Sequence, residues 1–304
     1  MADASGDSVG VLLMAYGTPA TPADVEAYYR HVRRGRAPTP EQLADLQRRY
    51  DAIGGTSPLQ ARTQAQARGV QAALERHDHG RFTVALGMKH APPFIEDALE
   101  HLANGGAPRA VGVVLAPHYS RLSVGEYEER ARAAAADRLD IAMVPSWHDA
   151  PPYLDALAER VRKALAGLPV ATEVVFTAHS LPARIVDEGD PYPEQLRQTA
   201  GAVAERAGVE RWRVGWQSAG RTPEPWLGPD ILETLSELAG AGDVEGVLVC
   251  PAGFTSDHLE ILYDLDVEAR ARAEGLGLAF ARTESLNDDP RLCEAVANAV
   301  LERV

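Results

Sequence analysis

Two separated segments carry the residues best suited to chemistry, VVFTAHSLP with His179 and VLVCPAGFTSDHLEILYDLDVE with Glu260. Each runs from a short Val- and Leu-rich stretch without polar alternation into polar residues, the pattern of a buried parallel strand and the turn that follows it. In an open α/β sheet, ligands bind outside the carboxyl ends of the strands. An imidazole and a carboxylate offered from two such ends can share one metal ion or one proton. The plain alternative for His179 is a loop histidine satisfied by its own hydrogen bonds.

After the second strand, Asp257, Glu260, Asp264 and Glu268 recur at spacings of three and four. Like charges at that spacing repel. Asp257 and Glu260 suit the positive end of a helix, but Asp264 and Glu268 lie too far along for that, which leaves a solvated face or a functional row. A regular α-helix turns such a row by about 40° every four residues, so only a π-type widening keeps the carboxylates in line.

The elements that must position these residues follow a strand, loop, helix rhythm. VGVLLMAYG, FTVALGM, AVGVVLAP and IAMVPS read as four strands, and EVVFTAHS, WRVGWQS, GVLVCPAG and LAFARTES as four more. Thr21-Pro22-Ala23-Asp24 reads as a cap, a proline at the first helical position and an acidic third position. Further helices are expected up to about Tyr50, from the turn Gly54-Gly55-Thr56-Ser57-Pro58 to about Arg76, and from about Pro290 to Val304. Pro151-Pro152 marks a boundary, giving domains at 1–150 and 151–304, with the last helix lying across both. GVVLAP echoes GVLVCP, and MAYGTP echoes TAHSLP, which suggests duplication.

Composition narrows the function classes. The chain has 304 residues and a formal charge of −14, which favours solubility and argues against general nucleic-acid binding. VGVLLMA is too short to span a membrane and follows acidic rather than basic residues, so neither anchor nor signal peptide is expected and the cytoplasm is the expected location. Cys250 and Cys293 form no Cys-x-x-Cys pair, so a zinc ribbon or a four-thiolate iron–sulfur cluster within one chain is excluded. A disulfide between them is not expected in a reducing compartment. Against the overall acidity, Arg30, His31, Arg33, Arg34, Arg36, Arg48 and Arg49 form a basic cluster fit for a small polyanion. The helix dipole accounts for part of it. No Gly-x-Gly-x-x-Gly, P-loop or Gly-x-Ser-x-Gly elbow follows a strand.

In order along nearly the whole chain, MAYGTP, YYRHVRRGR, RYDAIGGTSPL, KHAPPFIEDA, VLAPHYS, TAHSLP, DPYPEQL, VGWQSAG, TPEPWLGPD and TSDHLEILYDLDVE resemble ferrochelatase. Within that family the chain is most similar to the coproporphyrin ferrochelatases of Gram-positive and related bacteria, which have tyrosine in MAYGTP where protoporphyrin enzymes commonly have methionine. The resemblance implies two Rossmann-like domains, each with a four-stranded parallel sheet, and a porphyrin cleft between them. It assigns iron handling to His179 and Glu260, places Tyr16 on the opposite porphyrin face, and makes Arg33, Arg49, Tyr50, Ser57 and Tyr127 porphyrin contacts. Asp264 and Glu268 match the family's inner acidic ladder, and Lys89 and His90 a cleft-side pair. The apolar lip of membrane-associated relatives is replaced here by RRGRAPTPE, so membrane docking is not implied.

The resemblance implies insertion of Fe²⁺, as substrate, into coproporphyrin III to give its iron complex for haem synthesis, and the chemistry of an imidazole with a carboxylate agrees with it. Few protein ligands leave positions for water or porphyrin, and crowded carboxylates raise one another's proton affinity. Arg33, Arg34, Arg36 and Arg49 are expected to meet the propionates, and Trp216 to wall the cleft, with Trp226 in the core. Neither nucleic acid nor membrane is an expected partner, and a monomer is expected. The rivals are another tetrapyrrole chelatase, for cobalt, nickel or protoporphyrin IX, and a non-catalytic haem carrier.

Overall fold

The computed structural model describes residues 8–136, 138–220 and 222–304. The acidic stretch that bears on targeting, residues 1–7, lies outside the described residues. The chain divides into two compact units, Met1–Ala116 with Ser123–Trp147 and Asn287–Val304, and Pro117–Leu122 with His148–Leu286.

The first unit is built on β1 (Val9–Ala15), α1 (Val25–Val32), α2 (Pro40–Ala52), α3 (Leu59–His77), β2 (Phe82–Met88), α4 (Ile95–Asn104), β3 (Arg109–Val114), α5 (Val124–Ala135) and β4 (Asp140–Val144). Its strands pair in parallel in the order β2-β1-β3-β4. Every residue of β1 is buried, as a central strand covered on both faces requires. Ahead of α1 the chain makes a short 3₁₀ turn, Pro22–Asp24, where Thr21 and Asp24 complete the expected capping box. Thr39 and Gln42 make another for α2.

The second unit runs through α6 (Pro151–Leu165), β5 (Thr172–His179), α7 (Arg184–Asp187), α8 (Tyr192–Ala207), β6 (Trp212–Gln217), α9 (Ile231–Ala241) and β7 (Gly246–Cys250). A nine-residue π-helix, Ile261–Ala269, follows and continues into α10 (Arg270–Gly275) and β8 (Ala279–Arg282). The sheet is again parallel, in the order β6-β5-β7-β8. The two units therefore repeat one topology, with β1 and β5 in the same place, which supports the duplication suggested by the sequence echoes.

An even division near residue 150 does not describe the compact units. The last helix, α11 (Pro290–Leu301), belongs to the first unit, where it buries Leu292, Val296 and Val300. Cys293 sits over Gly69 of α3, where a Cβ on the glycine would come within 2.4 Å of its sulfur. The short loop Pro117–Leu122 goes with the second unit through His118–Thr199 and Ser120–Asp190 hydrogen bonds.

Candidate active site

His179 is the last residue of β5, paired in the ladder with Gln217. Gly253 makes room beside it, since a Cβ there would fall 2.4 Å from that of Ala178. The carbonyl of Ser180 lies 2.5 Å from His179 Nδ1. A carbonyl only accepts, so Nδ1 carries the hydrogen and Nε2 is turned toward the carboxylate. Nε2 stands 3.5 Å from Glu260 Oε1, with 36% of the histidine side chain and 35% of the glutamate exposed. The buried hydroxyl of Tyr192 donates to the His179 carbonyl at 3.0 Å. Burial and the Glu260 charge push that phenol well above its usual range, so it stays a donor.

Glu260 is placed by the helix that follows it. Ile261, Leu265, Ala269 and Ala273 recur at every fourth position and are fully buried against Ile231, Leu235, Leu238, Val247 and Val249. Each buried Ile or Leu stabilises the segment by about 1.5–3 kcal/mol. In an α-helix that four-residue row would wind away from the core. The π-form, seen in the bond from Arg270 N–H back to the carbonyl of Leu265, lets it stay in contact. The carboxylates at 260, 264 and 268 are displaced by one residue from the apolar row and share its alignment. This is the helix type that the spacing set as its condition.

Along the row, exposure varies. Asp264 is buried, and the hydroxyl of Ser218, held at φ 61, makes a short hydrogen bond to it. Glu268 is half-buried. Asp257 is not part of this line: it accepts from Ser285 at 2.8 Å and pairs with Arg282 at 3.4 Å.

A residue not singled out from sequence completes the pair. His258 approaches the other Glu260 oxygen, Nε2 to Oε2 at 3.6 Å, with its Nδ1 on the Ser256 carbonyl at 3.0 Å. The only signal was its place two residues before Glu260 in TSDHLE. Burial opposes charge on His179, but the Glu260 carboxylate outweighs it and lifts the imidazole to about 9. Burial would raise Glu260, yet the charge of His179 and hydrogen bonds from both histidines hold it well below the usual carboxylate range. At neutral pH the unloaded pair is therefore imidazolium and carboxylate. Among the described residues no group of three or more His, Cys, Asp or Glu is arranged to hold a metal ion.

The remaining sequence-predicted residues lie in the first unit. Tyr16 directly follows β1, the place His179 takes at the end of β5, and is 44% exposed. Its backbone is fastened to the Lys89-His90 segment, with Lys89 N–H on the Ala15 carbonyl and His90 N–H on that of Tyr16. Gly17 has φ +90, and a Cβ there would meet Ala91 at 2.9 Å, so no other residue fits beside Tyr16. The Tyr16 and His90 rings lie 4.6 Å apart. Burial and the charges of Lys89, His31, Arg130 and Arg34 push His90 down to about 3, which leaves it neutral.

Tyr50 and Tyr127 are buried. Tyr50 hydrogen-bonds Thr18 at 3.3 Å, beneath the Tyr16 turn, and Tyr127 lies under the ammonium of Lys89, 4.9 Å from the ring centre. Ser57 accepts from Leu59 N–H at the start of α3. The basic cluster is partly neutralised: Arg34 pairs with Glu126 at 3.1 Å, Arg49 with Asp45 at 3.4 Å, and Arg48 with Asp45 at 2.6 Å. Among the described residues Arg33 and Arg36 have no carboxylate partner; Arg33 Nε is buried without a hydrogen bond, and Arg36 Nε reaches back to the Arg33 carbonyl. Trp216 is buried, its ring tilted against that of Tyr192 at 5.7 Å, and Trp226, expected in the core, is the more exposed of the two.

Comparison with known proteins extends these observations. The ferrochelatase family matches residues 8–304. The chain is 45% identical over 303 residues to coproporphyrin III ferrochelatase of Geobacillus kaustophilus, covering 97% of this chain and 96% of that one. It is 42% identical to coproporphyrin III ferrochelatase of Bacillus subtilis, covering 99% of each. In fold alone it is similar to the sirohydrochlorin chelatase SirB from Bacillus subtilis subspecies spizizenii in complex with cobalt, with a TM-score of 0.58, 15% identity, and coverage of 97% and 94%. Family match, relatives and the repeated parallel sheets agree: the chain belongs to the ferrochelatase family.

Proposed function

We propose that this protein inserts ferrous iron into coproporphyrin III, with His179 and Glu260 delivering the ion and Tyr16, Arg33, Arg49, Tyr50, Ser57 and Tyr127 forming or supporting the porphyrin site. The observation that carries the reading is the open His179–Glu260 pair at a strand end, aligned with Asp264 and Glu268. Insertion removes two pyrrole protons per iron. The resting pair already holds one proton, on His179, so the arriving cation displaces it to solvent. When iron passes to the porphyrin, imidazole and carboxylate are free again. One pyrrole proton restores the resting pair, and the second must be exported. Asp264 and Glu268, in line behind Glu260, form the path.

Coproporphyrin III has four carboxylates and protoporphyrin IX two. Arg33 and Arg36 are the uncommitted guanidiniums of the basic cluster, which supports the carboxylate-rich substrate; Arg34 and Arg49 already have partners. Exposed arginine–carboxylate contacts stabilise by about 0.2–1 kcal/mol each, so two more give a preference of a few-fold to about tenfold. No described helix is long and apolar enough to cross a membrane. The test is anaerobic incubation with Fe²⁺ and each porphyrin, followed by absorbance of the product. The expected kcat/KM is larger for coproporphyrin III, with a gap that narrows as salt rises. Equal efficiency, or a preference for protoporphyrin IX, overturns the substrate assignment; no metallation of either overturns the activity.

A further inference from the structure

Arg282 closes β8, outside the residues so far given a role. Its side chain is 13% exposed and its guanidinium is fully engaged. Nε and Nη2 make a two-pronged contact with Asp266, both at 2.8 Å. Nη2 also lies 3.4 Å from Asp257, and Nη1 donates to the Thr283 carbonyl at 3.1 Å. Asp257 stands three residues before Glu260, and Asp266 six after it, inside the π-helix. One cation from the neighbouring strand thus ties both sides of the segment that carries the metal-facing carboxylate.

We propose that Arg282 is a positioning residue for iron delivery: by joining Asp257 to Asp266 it fixes the π-helical segment from which Glu260 faces His179. Three physical points support this. A long π-helix is rare and depends on outside contacts, and the apolar row secures only its core-facing side. The contact with Asp266 uses the flat guanidinium fork, which an ammonium cannot reproduce. Removing the cation breaks the link from Asp257 to Asp266, and Arg270, 3.9 Å from Asp266 and four residues along the same segment, does not replace it.

The inference rests on the iron-insertion reading, and the test keeps the two apart. Arg282→Lys retains the charge and loses the fork. For it and wild type, the KM values for Fe²⁺ and coproporphyrin III are measured well below each protein's melting temperature, with Zn²⁺ affinity by calorimetry in the absence of porphyrin. The expected result is an iron KM raised tenfold or more, Zn²⁺ affinity lowered at least fivefold, and a porphyrin KM within twofold of wild type. If Arg282→Lys does not fold, Asp266→Asn, which leaves the contact to Asp257, should raise the iron KM and lower Zn²⁺ affinity at least threefold. Iron KM and Zn²⁺ affinity within twofold of wild type would overturn the inference, as would equal rises in both KM values, the mark of general loosening. Wild-type protein that binds Zn²⁺ but metallates no porphyrin would instead defeat the insertion reading, and the Zn²⁺ comparison would still decide for or against Arg282.

Discussion

Replacing Glu260 with glutamine should lower the proton affinity of His179. In the native protein the imidazole titrates near 9 instead of 6.5, because the Glu260 charge overcomes burial. At about 1.36 kcal/mol per pH unit, that rise taken at face value is about 3.4 kcal/mol. A third of each side chain is in solvent, and screening reduces the pair to about 1–2 kcal/mol. The variant should therefore titrate about 0.7 to 1.5 pH units lower, followed through the imidazole resonances of His179 by NMR, with His179→Ala to assign them. The Ser180 carbonyl and Asp264 still favour the cation, so a residual elevation is expected. A midpoint unmoved by Glu260→Gln would refute the ion-pair argument and the displaced-proton step with it.

The same pair fixes a dependence of stability on pH. His179 is raised when folded, so its contribution is complete below 6.5 and is lost as pH rises through about 9. Glu260 is depressed when folded, so its contribution is complete above 4.5 and is lost as pH falls toward its native value. Between about 4.5 and 6.5 the pair acts at full strength, and there Glu260→Gln should cost the most in urea unfolding, with the difference shrinking at pH 9.5.

Three further outcomes follow from the site. His179→Ala should abolish iron insertion while coproporphyrin binding stays near wild type and the melting temperature falls by only a few degrees, the loss of the ion pair; retention of most activity would return His179 to a structural role. Glu260→Gln should lose far more activity than Glu268→Gln at saturating porphyrin, because Glu260 alone of the two faces His179, and equal small losses would make the row a solvated face. Tyr16→Met should shift the absorption spectrum of bound iron porphyrin and leave insertion partly intact, whereas an unchanged spectrum would count against Tyr16 as an iron contact.

Much of this arrangement was legible because it depends on local pattern. The central strands β1, β3, β5 and β7 stand out as short apolar runs, and His179 is recognisable at a strand end without knowing the strand order. The carboxylate row was visible as spacing, and its alignment could be stated as a condition on helix type. What decided that condition was the neighbouring row at 261, 265, 269 and 273, whose burial depends on α9 and β7 and so on tertiary packing. The charge balance of the basic cluster was hidden for the same reason. Glu126, which neutralises Arg34, is ninety-two residues away, and no local pattern announces such a partner. Tyr50 and Tyr127 read as contacts by motif, while their burial depends on how the Tyr16 turn and Lys89 close over them.

A resident metal is held by a closed ligand set with its charges matched in advance. The His179–Glu260 pair has the opposite properties. Its two side chains leave most of a coordination sphere unfilled, and His258 stands at 3.6 Å from the same carboxylate, close enough to balance charge on it. A proton already bridges the electrostatics of the pair, so a cation must compete for the site and is held less tightly than by bare ligands. Each feature weakens retention, which fits the proposed role of the pair in passing a cargo ion on to four pyrrole nitrogens. The repeat of the fold then acquires a chemical meaning. Where β5 ends in His179, β1 is followed by Tyr16, so divergence at one position of a duplicated sheet gives one unit a nitrogen base and the other a phenol.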